Sequence, residues 1–334
     1  MIAGTAVRPG AQILAVGGVR GSQRITNEQV AQAIDSSDEW IRSRTGITTR
    51  ARAEPDVTVL DLAEGAARHA IEGSGLAPTQ IDAVIFGSVT YFQQTPAAAP
   101  TLADRIGATG AAAFDLSAAC AGYCYGIGLA DALVRSGAAT HVLVAGADKL
   151  SEFVDPADRT ISFILGDGAG AAIVGPSSRP KIGRTIWGSD GAKAGFVGQN
   201  LGFREAFAAG IWPTLRQDGP TVYKWAVFTM AKIALEAITA AGLSPSEIEV
   251  FIPHQANLRI IEQQVKRIGL SSEVVVATDI TETGNTSAAS VPLATERLLR
   301  ERPDLGGKLA LQIGFGAGLA YAAQVIELPT PADV

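Results

Sequence analysis

Gly75-Leu76-Ala77-Pro78-Thr79-Gln80-Ile81-Asp82-Ala83-Val84-Ile85-Phe86-Gly87 returns without a gap as Gly242-Leu243-Ser244-Pro245-Ser246-Glu247-Ile248-Glu249-Val250-Phe251-Ile252-Pro253-His254. The offset is 167 residues (242 − 75), half of the 334-residue chain. Ahead of the first copy, Leu60, Ala63, Ala67 and Ile71 fall at helical spacing, and residues 231 to 241 do the same ahead of the second. In both, Gly-Leu-x-Pro ends the helix and an apolar run of strand type follows. Carried forward, the offset takes Cys120 to position 287, two residues from Asn285. Each of these positions opens a small-residue helix, to about residue 135 and about residue 301, before a strand at 141 to 146 and at 309 to 313. Each half then has a glycine loop beside an apolar strand, Gly166-Asp167-Gly168-Ala169-Gly170 and Gly314-Phe315-Gly316-Ala317-Gly318.

Strands and helices interleaved in this way predict an α/β fold of mixed, helix-covered sheets made twice. The expected organisation is an N-terminal half over 1–180, a C-terminal half over 223–334, and a connector over 181–222. The connector, rich in Gly, Trp and Pro and without a counterpart in the other half, is expected to shape a binding mouth. A 47% apolar share, an 18% charged share and 37 glycines describe a compact, tightly turned protein. No apolar run has the length of a membrane span and no secretory leader is evident, so the expectation is a cytoplasmic protein with no membrane partner. The net charge of −6 argues against nucleic acid. Two cysteines four residues apart and three histidines, with no Cys-x-x-Cys pair, give no reason to expect a zinc site.

Cys120, in Asp115-Leu116-Ser117-Ala118-Ala119-Cys120-Ala121-Gly122, stands where a strand meets a helix N-terminus, a setting that favours thiolate. It reads equally as a buried core cysteine. His254 ends a buried strand, the usual site position in layered α/β folds, although a lone histidine is more often structural. Asn285, in Thr283-Gly284-Asn285-Thr286-Ser287, would serve as a turn and helix cap. What sets the three apart is that the repeat brings them to one seam as nucleophile, acid/base or electrophile, and amide donor. Gly314-x-Gly316-x-Gly318 is a poor dinucleotide loop, because too little chain follows it for the crossover helix and acidic ribose ligand. Its better use is to let backbone N–H groups approach a reacting carbonyl.

Pro253-His254-Gln255-Ala256-Asn257-Leu258-Arg259 together with Gly284-Asn285-Thr286-Ser287 resembles the β-ketoacyl-acyl carrier protein synthase III family of the thiolase-like superfamily, and the match extends from about residue 25 to 326. The resemblance implies a five-layered α/β/α/β/α fold, a homodimer, and acyl-CoA and malonyl-acyl carrier protein as substrates with no tightly bound cofactor. It implies a decarboxylating condensation that starts fatty acid synthesis, carried out on Cys120, His254 and Asn285, with an oxyanion hole at Gly316 and Ala317 under a Phe315 gate. Trp40, Arg44, Arg159 and Asn257 would contact CoA. The segment Gln255, Ala256, Asn257, Leu258 and Arg259 with Lys224, Lys266 and Arg267 would face the carrier protein, though a solvated helix face explains Lys266 and Arg267 as well. Thr95 stands where acetyl-using members have a phenylalanine from the partner subunit, which implies primers larger than acetyl. Rival readings are a priming ketosynthase of an aromatic polyketide pathway, a Cys120-dependent acyltransferase or thioesterase, and a non-catalytic binding module.

Overall fold

The structure, a computed structural model, describes residues 7–330. Ten strands build two five-stranded sheets: β1 (Gly10–Arg20), β2 (Ala83–Gly87), β3 (Ala112–Leu116), β4 (Val142–Lys149), β5 (Asp167–Ser177), β6 (Ile186–Ser189), β7 (Val250–Pro253), β8 (Val275–Val276), β9 (Leu309–Gly316) and β10 (Ala320–Glu327). The first sheet has the order β1-β5-β4-β2-β3 and the second β6-β10-β9-β7-β8, so the second is the first with five added to every strand number. In both, the inner pairs β2–β4 and β7–β9 are parallel and the pairs β4–β5 and β9–β10 antiparallel.

Six helices repeat in the same way: α1 (Val59–Ser74), α2 (Ala98–Ile106) and α3 (Gly122–Ser136), then α4 (Gly219–Ala240), α5 (Leu258–Ile268) and α6 (Ser290–Glu301). α1 and α2 cover the outside of the first sheet and α4, with α5 packed on it, the outside of the second, while α3 and α6 touch strands of both and form the middle layer. Strands β2, β4 and β7 are buried along their whole length, which is why they read as unbroken apolar runs rather than alternating ones. The sheets close tightly on α3 because it is small: a Cβ on Gly126 would lie 2.5 Å from Val144 Cγ1. This is the five-layered thiolase-like arrangement.

Two expectations change in detail. The elbows before the central helices hold non-glycine residues in the left-handed region, Ala119 at φ 46° and Ser287 at φ 52°. Ala119 is therefore the equivalent of Ser287, and Cys120 aligns with Ala288 rather than with position 287. The central strands β7 and β9 keep the offset of 167 from β2 and β4, but one extra residue precedes α6. The connector over 181–222 also has a counterpart after all: β6, inside it, is the edge strand of the second sheet, paired antiparallel with β10. What leaves the layered frame is the stretch between β6 and α4, and the first half makes a like excursion between β1 and α1. The first excursion holds the helix Asp38–Thr45, the second the helix Phe203–Ala209. The two meet around one cleft.

Candidate active site

Cys120 sits in the turn Ala119–Ala121, immediately before α3. The end of β9 presses on it from the second half: a Cβ built on Gly316 would fall 2.8 Å from Cys120 Cβ and 2.9 Å from its Sγ. The residue keeps a partial opening to solvent. Burial nevertheless pushes its thiol up to about 11, against an opposing pull from the Ser287 hydroxyl and with the Asp148 carboxylate adding to the rise. Burial thus opposes the thiolate that the helix N-terminus favours. Since only thiolate alkylates, and its fraction grows tenfold per pH unit below the pKa, iodoacetamide labelling of Cys120 should climb about a hundredfold from pH 7 to pH 9 without levelling. A plateau near pH 8.5, read by mass spectrometry, would mean an ordinary thiol.

His254 continues the β7–β9 ladder, its N–H donating to Ile313 O at 2.7 Å. Its Nδ1 lies 2.6 Å from Ser290 Oγ on α6, and both residues are buried. Phe315 stands edge-on to the imidazole at 5.2 Å between centroids, with Trp225 behind it at 6.0 Å. Burial holds the imidazole down to about 3, so the ring is neutral throughout the ordinary pH range. A neutral ring at this position is a hydrogen-bond donor, not an imidazolium.

Asn285 is fixed by its main chain. Its N–H donates to Ile164 O at 2.7 Å and its carbonyl accepts from Gly166 N–H at 2.9 Å, which ties the elbow of one half to the strand approach of the other. Its Oδ1 accepts from Ser287 N–H at 2.9 Å. With the oxygen committed, the amide NH₂ is the end left to meet a ligand.

Asn285 closes the inner end of a cleft of about 600 Å³ whose outer part is lined by Trp40, Arg44 and Arg159, with Tyr223, Ala256, Asn257 and Arg259 between. Both guanidinium groups, Arg44 and Arg159, lie 5.3 Å from the Trp40 ring centroid. Phe163 packs edge-on against the same ring at 5.2 Å. Trp40 is therefore a partly buried wall with cations over it, able to take a flat, electron-rich ring alongside. Asn257 caps α5, its Oδ1 accepting from Arg259 N–H at 2.9 Å, and its Nδ2 donates to Arg44 O at 3.0 Å, so it binds the two sides of the mouth together.

Several expected residues lie elsewhere. Gln255 is wholly buried: its Nε2 donates to Pro253 O at 2.7 Å and Ala277 O at 3.3 Å, and its Oε1 accepts from Ile280 N–H at 3.1 Å. It braces the loop after β7 and cannot face a carrier protein. Leu258 packs beneath Gly46, where an added Cβ would come within 2.5 Å of Leu258 Cδ2. Lys224, Lys266 and Arg267 are exposed on α4 and α5, Arg267 stacking over Phe228 at 3.8 Å. Thr95 is exposed between β2 and α2 and is not among the cleft residues. Sequence reasoning missed Ser290, Ser287 and Asp148. The Asp148 carboxylate, itself raised by burial, accepts from Val89 N–H at 2.7 Å, Thr90 Oγ1 at 3.0 Å and Ala288 N–H at 3.3 Å, and so joins both halves behind Cys120. A charge at the end of an all-apolar strand was the available signal.

Residues 114–191 match the family model of 3-oxoacyl-[acyl-carrier-protein (ACP)] synthase III, and residues 238–328 match the model of that family's C-terminal part. The β-ketoacyl-[acyl-carrier-protein] synthase III of Kocuria rhizophila is 53% identical, with 95% of this chain and 96% of that protein covered. The enzyme of the same name from Streptomyces glaucescens is 50% identical, covering 96% and 97%. Among solved structures, the priming β-ketosynthase of the R1128 polyketide pathway has a TM-score of 0.96 at 43% identity, covering 98% of this chain and 99% of that one. The 3-oxoacyl-(acyl carrier protein) synthase III of Pseudomonas aeruginosa has a TM-score of 0.89 at 34% identity, covering 97% and 100%. With both family models matched and about half of the residues shared over nearly full length, the chain belongs to the β-ketoacyl-[acyl-carrier-protein] synthase III family.

Proposed function

We propose that the protein condenses an acyl-CoA primer with malonyl-acyl carrier protein, releasing CoA and CO₂, with Cys120, His254 and Asn285 as the catalytic residues. Cys120 thiolate attacks the acyl-CoA carbonyl and CoA departs, leaving the acyl group on sulfur. Malonyl-acyl carrier protein then enters the same cleft. As its C–CO₂⁻ bond breaks, the electron pair moves onto the thioester oxygen, where the neutral His254 ring and the Asn285 amide donate hydrogen bonds to it. Phe315 walls the carboxylate with apolar surface, which disfavours the charge being lost. The carbanion attacks the acyl carbon, the N–H groups of Cys120 and Ala317 hold the tetrahedral oxyanion, and collapse expels the Cys120 thiolate.

The observation that supports this best is the lining of the cleft, which begins at Trp40, Arg44 and Arg159 and ends at Asn285. Adenine stacked at Trp40 would send the pantetheine arm inward. The decisive experiment incubates the protein with a panel of acyl-CoAs, reads intact mass, and then adds malonyl-acyl carrier protein. An acyl adduct lost in Cys120→Ala and discharged as a β-ketoacyl product is expected. An adduct that appears equally in Cys120→Ala would sink the mechanism, and release of free acid alone would favour a thioesterase. The same chemistry priming a polyketide synthase remains a second reading, favoured by the likeness to the R1128 ketosynthase. It is separated from the first by which carrier protein discharges the adduct.

The partners belong to the same reading. Arg259 lines the cleft, and with Lys224, Lys266 and Arg267 it offers a basic rim to an acidic carrier protein and its phosphopantetheine. Strand β3, the outer strand of the first sheet, leaves Phe114 39% exposed, an edge suited to pairing with a second copy in a homodimer. Thr95, also exposed in the single chain, would then reach the acyl pocket of the partner. A cytoplasmic location follows from the CoA and carrier-protein substrates. Because Thr95 is small, primers larger than acetyl are accepted, and Thr95→Phe should move the preferred primer toward acetyl by about tenfold in relative kcat/KM. Unchanged chain-length preference, measured with acetyl-CoA against longer and branched acyl-CoAs, would remove Thr95 from the pocket.

A further inference from the structure

Ser290 is the first residue of α6, fully buried, and its hydroxyl has two partners: His254 Nδ1 at 2.6 Å and the N–H of Gln255 at 3.3 Å. The second contact decides the first. A backbone N–H can only donate, so the Ser290 oxygen accepts from Gln255, and its own proton must find an acceptor. His254 Nδ1 is the one within reach. If instead Nδ1 carried the ring proton and donated to Ser290, the hydroxyl oxygen would accept twice and its proton would be stranded in the core, a costly arrangement. The neutral ring has a single N–H, so a Nδ1 that accepts leaves that proton on Nε2.

We infer that Ser290 is a positioning residue that fixes His254 in the Nε2–H tautomer, so that the imidazole presents a donor to the oxygen that becomes negative during decarboxylation. The inference rests on the reading of His254 as a donor to the thioester oxygen. Gln255 acquires a purpose in the same arrangement. Its buried side chain braces the loop after β7, and that holds its N–H on Ser290. The carrier-protein motif thus contains, beside its outward-facing arginine, the inward-facing amide that sets the tautomer one residue away. Ser290 touches no substrate in this arrangement and acts through the ring.

The test combines a spectroscopic and a kinetic readout on the full chain. The protein has three histidines, His69, His141 and His254, so ¹⁵N-histidine labelling with His254→Gln as the assignment control isolates one ring. In the wild type, His254 should carry its proton on Nε2 with a bare, hydrogen-bonded Nδ1. In Ser290→Ala the ring should redistribute between tautomers. CO₂ release from malonyl-acyl carrier protein should fall about a hundredfold, the size expected for a misplaced oxyanion donor. Acylation of Cys120 by acyl-CoA should stay within about threefold in the same variant, because that step does not use the His254 donor. Ser290→Thr, which keeps the hydroxyl, should restore decarboxylation. A wild-type His254 protonated on Nδ1 overturns the inference without need of any variant. So does a Ser290→Ala protein that decarboxylates at the wild-type rate, or one that loses both half-reactions equally and is not rescued by Thr. If the tautomer is as inferred but His254→Ala decarboxylates normally, it is the donor role of His254 that fails, not the Ser290 contact.

Discussion

Asn285→Asp should lower malonyl decarboxylation by about 10³-fold or more and do so more severely than Asn285→Ala. The substitution is isosteric. One carboxylate oxygen can still accept from Ser287 N–H, and the main-chain bonds of position 285 to Ile164 and Gly166 are untouched, so the elbow before α6 stays in place. What changes is the outward end, where an NH₂ donor becomes an anionic acceptor. Losing one oxyanion donor costs about 3 kcal/mol, roughly a hundredfold. Like-charge repulsion adds to it, about 1 kcal/mol at 4 Å in water and about 4 at an effective dielectric of 20. Asn285→Ala loses the donor and the bond to Ser287 N–H but brings in no repelling charge. The sign of the pH dependence is a further check. A carboxyl at this buried end has its pKa raised by desolvation, and its protonated form regains an O–H donor. The aspartate variant should therefore recover activity as pH falls, while wild type, with His254 neutral down to about 3, should show no such gain. Stopped-flow CO₂ release at pH 6 and pH 8, with Cys120 acylation followed by mass, reads both. Equal rates for the Asp and Ala variants at pH 8 would mean that the amide does not face the developing charge.

Which parts of this site were legible in the sequence depends on what kind of physical signal each leaves. The repeat around residues 75–87 and 242–254 survives because its glycine and proline stops are tied to backbone geometry, and the fold follows from it. The one-residue slip at the elbows is invisible, since Ala119 and Ser287 are ordinary residues whose left-handed φ values arise from the closure of two sheets on α3 and α6. β6 reads as part of an insertion because a four-residue, half-exposed edge strand has no apolar run to announce it. The position of Cys120 at a helix start is legible, but the burial that pushes its thiol up, imposed by Gly316 and its surroundings, is not. That burial is a property of the seam and appears in neither half alone. Gln255 reads as outward because it lies within the recognised motif, yet its side chain is buried, and only Ala256, Asn257 and Arg259 of that motif line the cleft. Ser290 left no trace at all, being one of several serines and alanines in a run whose facing is set by α6.

The contact between Gly316 and Cys120 gives the sharpest expectation. Gly316 is not in the left-handed region, so its backbone tolerates alanine; what forbids a side chain there is the nucleophile itself, with Cβ and Sγ 2.8 and 2.9 Å from where the new methyl would sit. Pairing of position 316 with Ala320 on β10 should survive, and Gly316→Ala should fold. Overpacking of this kind costs about 1–3 kcal/mol. Turning the sulfur away relieves the contact with Sγ but not the one with Cβ, so the Ala119–Ala121 turn must shift as well, and both movements take the attacking atom from the place where the oxyanion donors converge. A misplacement of about 1 Å costs about a hundredfold, so acylation by acyl-CoA should fall by about 10² or more. A general loosening of the protein would produce the same kinetic loss, and a double-mutant cycle separates the two. Cys120→Gly removes the two nearest of the three atoms that the methyl meets and leaves only the Cys120 backbone nitrogen at 3.2 Å, so Gly316→Ala should be clearly less destabilising beside Cys120→Gly than in the wild-type background, a coupling of at least about 1 kcal/mol in denaturant titrations. Additive penalties would place the strain of Gly316→Ala elsewhere in the β9–β10 turn and leave Gly316 with no part in seating the nucleophile.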